Sequence, residues 1–309
     1  MKKIVIVYAQ DNRHDKYPIS EKKYRLVAEL MGKMAEKKEI AIYHASIYWF
    51  EKDTFKSAWI YKNNCWTKEN ITPDFIWLRM KITPQHEFKI NLMAAKFPFI
   101  NSLGFERLNN KAVLGNLLSP WMPKTIKINH QEDYPALSTI FNSKKIVLKP
   151  IKGSGGVGVE IIDAKKITRK KNKKVNVLAQ EFIDSSKGIK GLCSGYHDLR
   201  LVFLKNKLTY AYLREPKKGM LLANLAQGGK MTVVKKNKIP KKVFGIVKNV
   251  LRIIMHLNPV YYTMDFIFDE SGQPYLLELN TRPGSYFAKE YADLQKKFFN
   301  KLLKVFKKL

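Results

Sequence analysis

The chain has 309 residues, 45% of them hydrophobic, so it is long enough to bury a sizeable core divided among two or three compact units. It carries 57 Lys and Arg against 26 Asp and Glu, a net charge of +31, and only two cysteines, Cys65 and Cys193, which are far apart and lack C-x-x-C spacing. That composition excludes a disulfide framework and a structural zinc site, and no stretch approaches the ~18 uninterrupted apolar residues that span a bilayer.

The opening segment MKKIVIVYAQ has the basic start of a signal peptide, but its apolar run is short and polar residues follow at once. It therefore reads as a first β-strand of a cytoplasmic protein. A helical stretch over 20–38 and the segment EIAIYHASIYWF complete an α/β start, whose natural product is an open parallel sheet. Residues 55–69 read as a hairpin turning at 62–64, and residues 74–81 as a further strand ending at Arg79.

Residues 144–162, KKIVLKPIKGSGGVGVEII, place a glycine-rich loop between two β-branched apolar runs. Gly153, Gly155 and Gly158 satisfy the G-x-G-x-x-G spacing of a dinucleotide fold, but that fold requires a helix after the loop, and VGVEII predicts a strand. The unit is strand, loop, strand. Glycines in such a loop let backbone N–H groups approach phosphate oxygens closely, and Lys149 adds a point charge on the incoming strand. The following KKITRKKNKK, residues 165–174, has seven Lys or Arg in ten positions and reads as an exposed turn and helix edge.

Near the C-terminus, YYTMDFIFD (261–269) and PYLLELNTRPG (274–284) describe two strands joined by a short turn. If Asp269 faces Pro274, the same register sets Asp265 opposite Glu278, with Asn280 two residues on and on the same face. Phe266, Ile267, Leu276, Leu277 and Leu279 mark the pair as buried, so two carboxylates and an amide there are costly unless a cation pairs with them. Hard oxygen donors of this kind suit Mg²⁺ carrying substrate phosphates, with Mn²⁺ as an alternative. In the last segment, Phe298, Leu302, Phe306 and Leu309 align on one helical face beside Lys297, Lys301, Lys304 and Lys308. Two readings stand for it: a terminal helix docked on its domain, or a helix for a membrane surface or an acidic partner.

From about residue 70 onward the order of these segments resembles the ATP-grasp enzymes, most of all the glutathione synthetase and RimK-type glutamate ligase branch. PFINSLGFERLNNKAVLGNLL (98–118) is similar to the stretch in which an Asn and a Lys precede the central domain, and Pro123, Lys124 and Thr125 to the P-x-T that follows. LAQEFI (178–183) resembles the hinge that grips adenine, and HDLRLVFL (197–204) the strand that carries an Arg toward the phosphates. LREPKKGMLLANLAQGGKM (213–231) resembles the R…N-x-x-x-G-G segment near the acceptor. ELNTRPG resembles the metal strand in its D-alanine–D-alanine ligase form.

The resemblance implies an ATP-grasp fold of mixed α/β elements with an N-terminal open-sheet domain over 1–107, a small lid subdomain over 108–180 and a large subdomain with the metal site over 181–309. It implies a carboxylate–amine ligase that uses ATP and Mg²⁺, passes through an acyl phosphate and acts on an amino acid or peptide. Lys111, Lys149, Gly153, Ser154, Gly155, Gly156 and Gly158 would hold the phosphates, and Gln180, Glu181, Phe182 and Ile183 the adenine. Asp265, Glu278 and Asn280 would hold the metal. Arg200 and Arg214 would stabilise the acyl phosphate and the later oxyanion, and Arg282 would orient the acceptor carboxylate. Arg79, Asn224, Gly228 and Gly229 would lie along the acceptor. The resembled families are often homo-oligomers. A nucleotide-dependent polyanion-binding or regulatory protein, and a kinase on the same scaffold, are the alternatives. Charge keeps the first of these open, because residues 109–309 hold 38 Lys and Arg against 14 Asp and Glu. Such a field steers acidic macromolecules, but an AT-rich genome also favours lysine.

Overall fold

A computed structural model describes residues 1–9, 18–141, 143–153, 155–169, 174–223 and 228–309. They form two compact units, each discontinuous in sequence: Met1–Leu103 with Pro259–Tyr261 and Arg282–Leu309, and Gly104–Asn258 with Tyr262–Thr281.

The first unit is built on the apolar run of β1 (Lys2–Tyr8), which has a parallel partner on each side, the crossover to the first of them made by a helix. Strand β2 (Ile40–Ser46) pairs with it after the helix Lys22–Glu36, and β6 (Phe75–Leu78) pairs on its other side. Helix Pro84–Lys96 then leads to β7 (Phe99–Ile100), parallel to β6. The other edge is antiparallel: β3 (Phe50–Glu51), β4 (Thr54–Lys62) and β5 (Cys65–Ile71), with β3 and β5 both on β4. The expected parallel sheet is therefore mixed, because a two-residue connection joins antiparallel strands only. Asn63 and Asn64, both at positive φ (49° and 61°), make that connection, in the primed-turn geometry that matches strand twist.

The C-terminal helix Ala292–Lys307 belongs to this unit and buries Phe298, Phe299, Leu302, Leu303 and Phe306. Phe306 meets Trp77 edge-on at 5.3 Å, and Phe298 lies 5.2 Å from Tyr261. Lys2 Nζ donates to the carbonyls of Phe306 (3.3 Å) and Lys307 (3.1 Å), which the end of a helix leaves without intrahelical partners. The helix is docked, so its apolar face is covered and does not serve a membrane surface; Leu309, expected on that face, is only half-buried. Residues 282–309, which a division at 180 leaves with the nucleotide-binding part, cluster here with the N-terminal sheet. Asn101, at a left-handed φ of 61°, accepts from the amides of Val260 (2.7 Å) and Tyr261 (2.9 Å) and donates to the Tyr261 carbonyl (2.7 Å), tying in the short return segment.

The second unit holds two sheets. One has the order β10-β9-β11-β8, from β8 (Thr125–Ile128), β9 (Lys145–Pro150), β10 (Glu160–Asp163) and β11 (Val177–Glu181), all antiparallel. Ile128, Ile146, Leu148 and Ala179 pack on Tyr134, Leu137 and Phe141. Alternation along the strands sends Thr125, Lys149 and Gln180 to the opposite face. The other sheet has the order β14-β13-β12-β15-β16, from β12 (Asp198–Leu204), β13 (Lys207–Glu215), β14 (Lys230–Val234), β15 (Tyr261–Phe268) and β16 (Pro274–Asn280). Its apolar face, including Leu199, Leu201, Leu213, Met264, Phe266 and Leu279, packs against Val243, Val247, Val250 and Ile254 of helix Lys241–Ile254. Of the basic run at 165–174, residues 170–173 lie outside the described residues; the short helix Ala164–Arg169 and an exposed Lys174 paired with Glu160 flank them.

Candidate nucleotide and metal site

The polar face of the five-stranded sheet carries Asp198 and Arg200 on β12, Arg214 on β13, Asp265 on β15, and Glu278 and Asn280 on β16. Asp265 stands opposite Glu278, and Thr263 opposite Asn280. The register reaches this by a route that alternation does not foresee. Pro274 pairs with Phe268 rather than Asp269, and a β-bulge between Asp265 and Phe266 then shifts the register by one. Asp269 instead closes the turn, its Oδ1 accepting from the amides of Ser271 and Gln273 (both 2.9 Å), with Gly272 at φ 78°.

Asp265 is almost fully enclosed and doubly paired. Arg200 Nε donates to Oδ1 at 2.7 Å and Arg200 Nη2 to Oδ2 at 2.5 Å, while Arg214 Nη2 donates to Oδ2 at 2.7 Å. Burial pushes its carboxyl up, but the two guanidinium groups outweigh that and hold it below the usual carboxylate range. Glu278 is the more open carboxylate, its side chain 27% exposed against 4% for Asp265. Lys111, on the first turn of helix Lys111–Leu117, donates to Glu278 Oε1 at 2.6 Å and to the Gly153 carbonyl at 3.0 Å. Asn110 starts that helix, accepting from the amide of Ala112 at 3.0 Å.

Lys149 points from β9 into the same unit and is 8% exposed. Its ammonium donates to Gln180 Oε1 at 2.9 Å; Gln180 Nε2 donates to Thr125 Oγ1 at 2.7 Å, and Thr125 Oγ1 to the Pro123 carbonyl at 2.8 Å. Burial first, and Lys111 second, bring its pKa down to about 8, against a smaller opposing effect of Glu278. The loop that follows connects two antiparallel strands, as the sequence predicts, with Gly155, Gly156 and Gly158 at φ of 70°, 71° and 76°. A side chain at Gly158 would also bring a Cβ to 3.1 Å from Pro150. Ser154 lies outside the described residues.

At the hinge, the Glu181 amide donates to the Lys124 carbonyl at 2.9 Å. The Phe182 ring has Lys145 Nζ over it at 5.3 Å, and Ile183 is half-buried. Gly228 takes a φ of 84° beside the Lys217 side chain, and Gly229 is half-buried next to it; Asn224 lies outside the described residues. Arg79 and Arg282 belong to the first unit. Arg79 follows β6, its amide donating to the Val7 carbonyl at 2.9 Å and its guanidinium lying over Trp77 at 5.4 Å. It sits where parallel neighbours diverge to the two sides of β1, the customary ligand crevice of an open sheet. Arg282 is half-buried at the start of the C-terminal segment.

Residues 115–285 match the ATP-grasp domain family. The chain belongs to the ATP-grasp family. Over 200 residues it is 27% identical to a protein of Halorhodospira halophila named probable alpha-L-glutamate ligase, a match covering 62% of this chain and 61% of that one. The chain spans between about half and three fifths of the curated relatives it matches. In fold it is similar to D-alanyl-alanine synthetase A from Vibrio cholerae (TM-score 0.62, 12% identity, 98% of this chain and 97% of that chain). It is similar also to the ATP-grasp ligase PsnB, solved with a phosphomimetic variant of a minimal precursor, Mg and ADP (TM-score 0.62, 13% identity, 99% and 97%). The ATP-grasp fold expected from the sequence is therefore that of this chain, and its similarity to proteins named probable alpha-L-glutamate ligase is in keeping with the resemblance to the RimK-type branch.

Among the described residues no three His, Cys, Asp or Glu side chains gather. Glu278 and Asn280 are oxygen donors of the kind a hard divalent cation takes and lie on one strand, with Asp265 across the register but with both its oxygens engaged by Arg200 and Arg214. Sequence reasoning missed Asp198 and the use of Gln180, itself bonded to the Thr125 of the P-x-T segment, to hold Lys149. The Asp-x-Arg spacing of 198 and 200 was the available signal for the first, since it puts both charges on one strand face.

Proposed function

We propose that the protein is an ATP- and Mg²⁺-dependent carboxylate–amine ligase acting on an amino acid or peptide. The observation that carries this is the Lys111 ammonium, which ties the glycine loop at Gly153 to the carboxylate strand at Glu278. Phosphate cradle and metal donors thus converge within one unit, an arrangement that a passive binding module does not need. The names of the similar proteins, a probable glutamate ligase, a D-alanyl-alanine synthetase and an ATP-grasp ligase, support the same reading.

In this reading the sheet β8–β11 is the lid. Lys149, held by Gln180, and the loop amides bind the phosphates, and Lys111 shifts from Glu278 to them. A bound Mg²⁺ supplies neutralisation of the charge on the transferred phosphoryl group. Glu278 and Asn280 would hold it, with Asp265, oriented by Arg200, across the register. The substrate carboxylate takes the γ-phosphoryl group and ADP leaves. Arg200 and Arg214 stabilise the acyl phosphate and the oxyanion formed when the amine adds to its carbonyl carbon. The C–O bond to phosphate then breaks and the amine loses a proton. Arg79, Gly228, Gly229 and Arg282 are assigned to the substrates, and the backbone of Glu181 and Ile183, with Phe182, to adenine.

The test is ADP release across a panel of amino acid and peptide carboxylates paired with amines, with product masses recorded. Equal amounts of ADP, phosphate and a condensed amide are expected. A stable phosphorylated product without amide would make the protein a kinase, and binding of polyanions without ADP release in any pair would make it regulatory.

A further inference from the structure

Asp198 is used by none of the steps above, yet it is built into the same face. It stands opposite Arg214 in the β12–β13 register, two residues from Arg200. Arg214 Nε donates to Asp198 Oδ1 at 2.5 Å and Arg214 Nη2 to Asp198 Oδ2 at 2.8 Å, a two-bond fork that consumes both carboxylate oxygens. The same Nη2 donates to Asp265, which Arg200 clasps in a second fork. Two acids and two bases therefore form one enclosed chain, none of the four side chains more than 13% exposed. A buried chain of ions is a poor way to stabilise a sheet, because apolar side chains of similar volume do it as well or better. What such a chain does provide is orientation. Nε and Nη2 of each arginine are committed, and among the described residues no hydrogen-bond partner is found for Nη1 of either.

We propose that Asp198 is a positioning residue that fixes the guanidinium plane of Arg214, leaving its Nη1 edge to bind the phosphate that is transferred and later expelled. A planar fork held on one edge by a carboxylate presents its other donors to an anion without having to be ordered on binding. The role rests on the proposed ligase reading. It also separates the two arginines: Arg200 makes its two-bond fork with Asp265, whereas Arg214 makes its fork with Asp198 and gives Asp265 a single bond.

The experiment uses the full chain and two probes in sequence, MgADP and then inorganic phosphate titrated into the MgADP-loaded protein, each followed by calorimetry. Asp198→Asn, which keeps the shape and loses the charge, should bind MgADP within about twofold of wild type and phosphate at least tenfold more weakly. Arg214→Ala should lose about as much phosphate affinity, and the double variant little more than either single one, as expected of residues acting as a unit. Should Asp198→Asn prove too unstable, Asp198→Glu keeps the charge and displaces the fork by one methylene; it should show the same split. Phosphate binding at wild-type strength in whichever variant folds, or equal loss of MgADP and phosphate, overturns the positioning role. Failure of the wild type to bind MgADP would instead overturn the ligase reading, and with it the basis of this proposal.

Discussion

Replacing Lys149 with methionine keeps the side chain's length and removes an ammonium that is nearly enclosed and bonded to Gln180. Burial and Lys111 bring its pKa from the ordinary 10.5 to about 8. At about 1.4 kcal/mol per tenfold in proton affinity, the charged form costs the folded protein about 3 kcal/mol relative to the unfolded chain. Below pH 8 the lysine is charged in both states and the cost is present in full. Between about 8 and 10.5 the unfolded chain keeps the proton while the folded protein has released it, so wild-type stability rises with pH and the gain is complete above 10.5. Methionine has no such gain but loses the bond to Gln180, worth about 1 kcal/mol. Lys149→Met should therefore be more stable than wild type by roughly 2 kcal/mol at pH 7 and less stable by roughly 1 kcal/mol at pH 11. Urea unfolding of both proteins across that range measures the difference, in which titrating groups remote from Lys149 cancel. A difference that stays flat with pH would refute the buried-ammonium account. The same variant should bind MgADP at least tenfold more weakly at pH 7, so that stability and binding move in opposite directions.

Glu278→Gln removes the more open carboxylate and its pairing with Lys111, so titration of Mg²⁺ at fixed ADP should show the metal enhancing binding far less than in wild type, with ADP alone little changed. Arg282→Lys keeps charge but loses the planar fork; turnover of the substrate pair found in the panel should fall strongly while the KM for ATP stays within about twofold, and wild-type kinetics would remove Arg282 from the site. Phe298→Ala opens a cavity between the C-terminal helix and Tyr261 and should cost about 3–5 kcal/mol in denaturant unfolding, a loss well below that range showing that the helix is dispensable.

Local chemistry was the legible part of this chain. The strand–loop–strand unit follows from glycines between β-branched runs, and Asp265 and Glu278 stand out as carboxylates within two apolar strands. What stayed hidden depends on partners distant in sequence. The bulge after Asp265 has no residue signature in LLELN, so the turn register expected from Asp269 was one residue off although the functional pair survived. Asp198 could be seen as a charge next to Arg200, but not as the counterion of Arg214, which reaches it from another strand. Gln180 sits in a segment similar to the adenine hinge, and only the neighbouring strand shows its amide turned toward Lys149. The C-terminal helix had two readings because amphipathicity records an apolar face and not what covers it; Trp77 and Tyr261 decide it.

The way the units are threaded has a consequence for biosynthesis. The N-terminal sheet leaves the ribosome first, yet its return segment at Pro259–Tyr261 and the helix that covers Trp77 are translated after nearly all of the second unit. The second unit is complete once Thr281 has emerged, whereas the first must wait for the helix Ala292–Lys307. Domains usually mature in the order of synthesis; here the later-encoded unit closes first, and the earlier one spends translation with an apolar flank uncovered. Substitutions that weaken the C-terminal helix should therefore reduce the yield of folded chain before they alter any property of the finished protein.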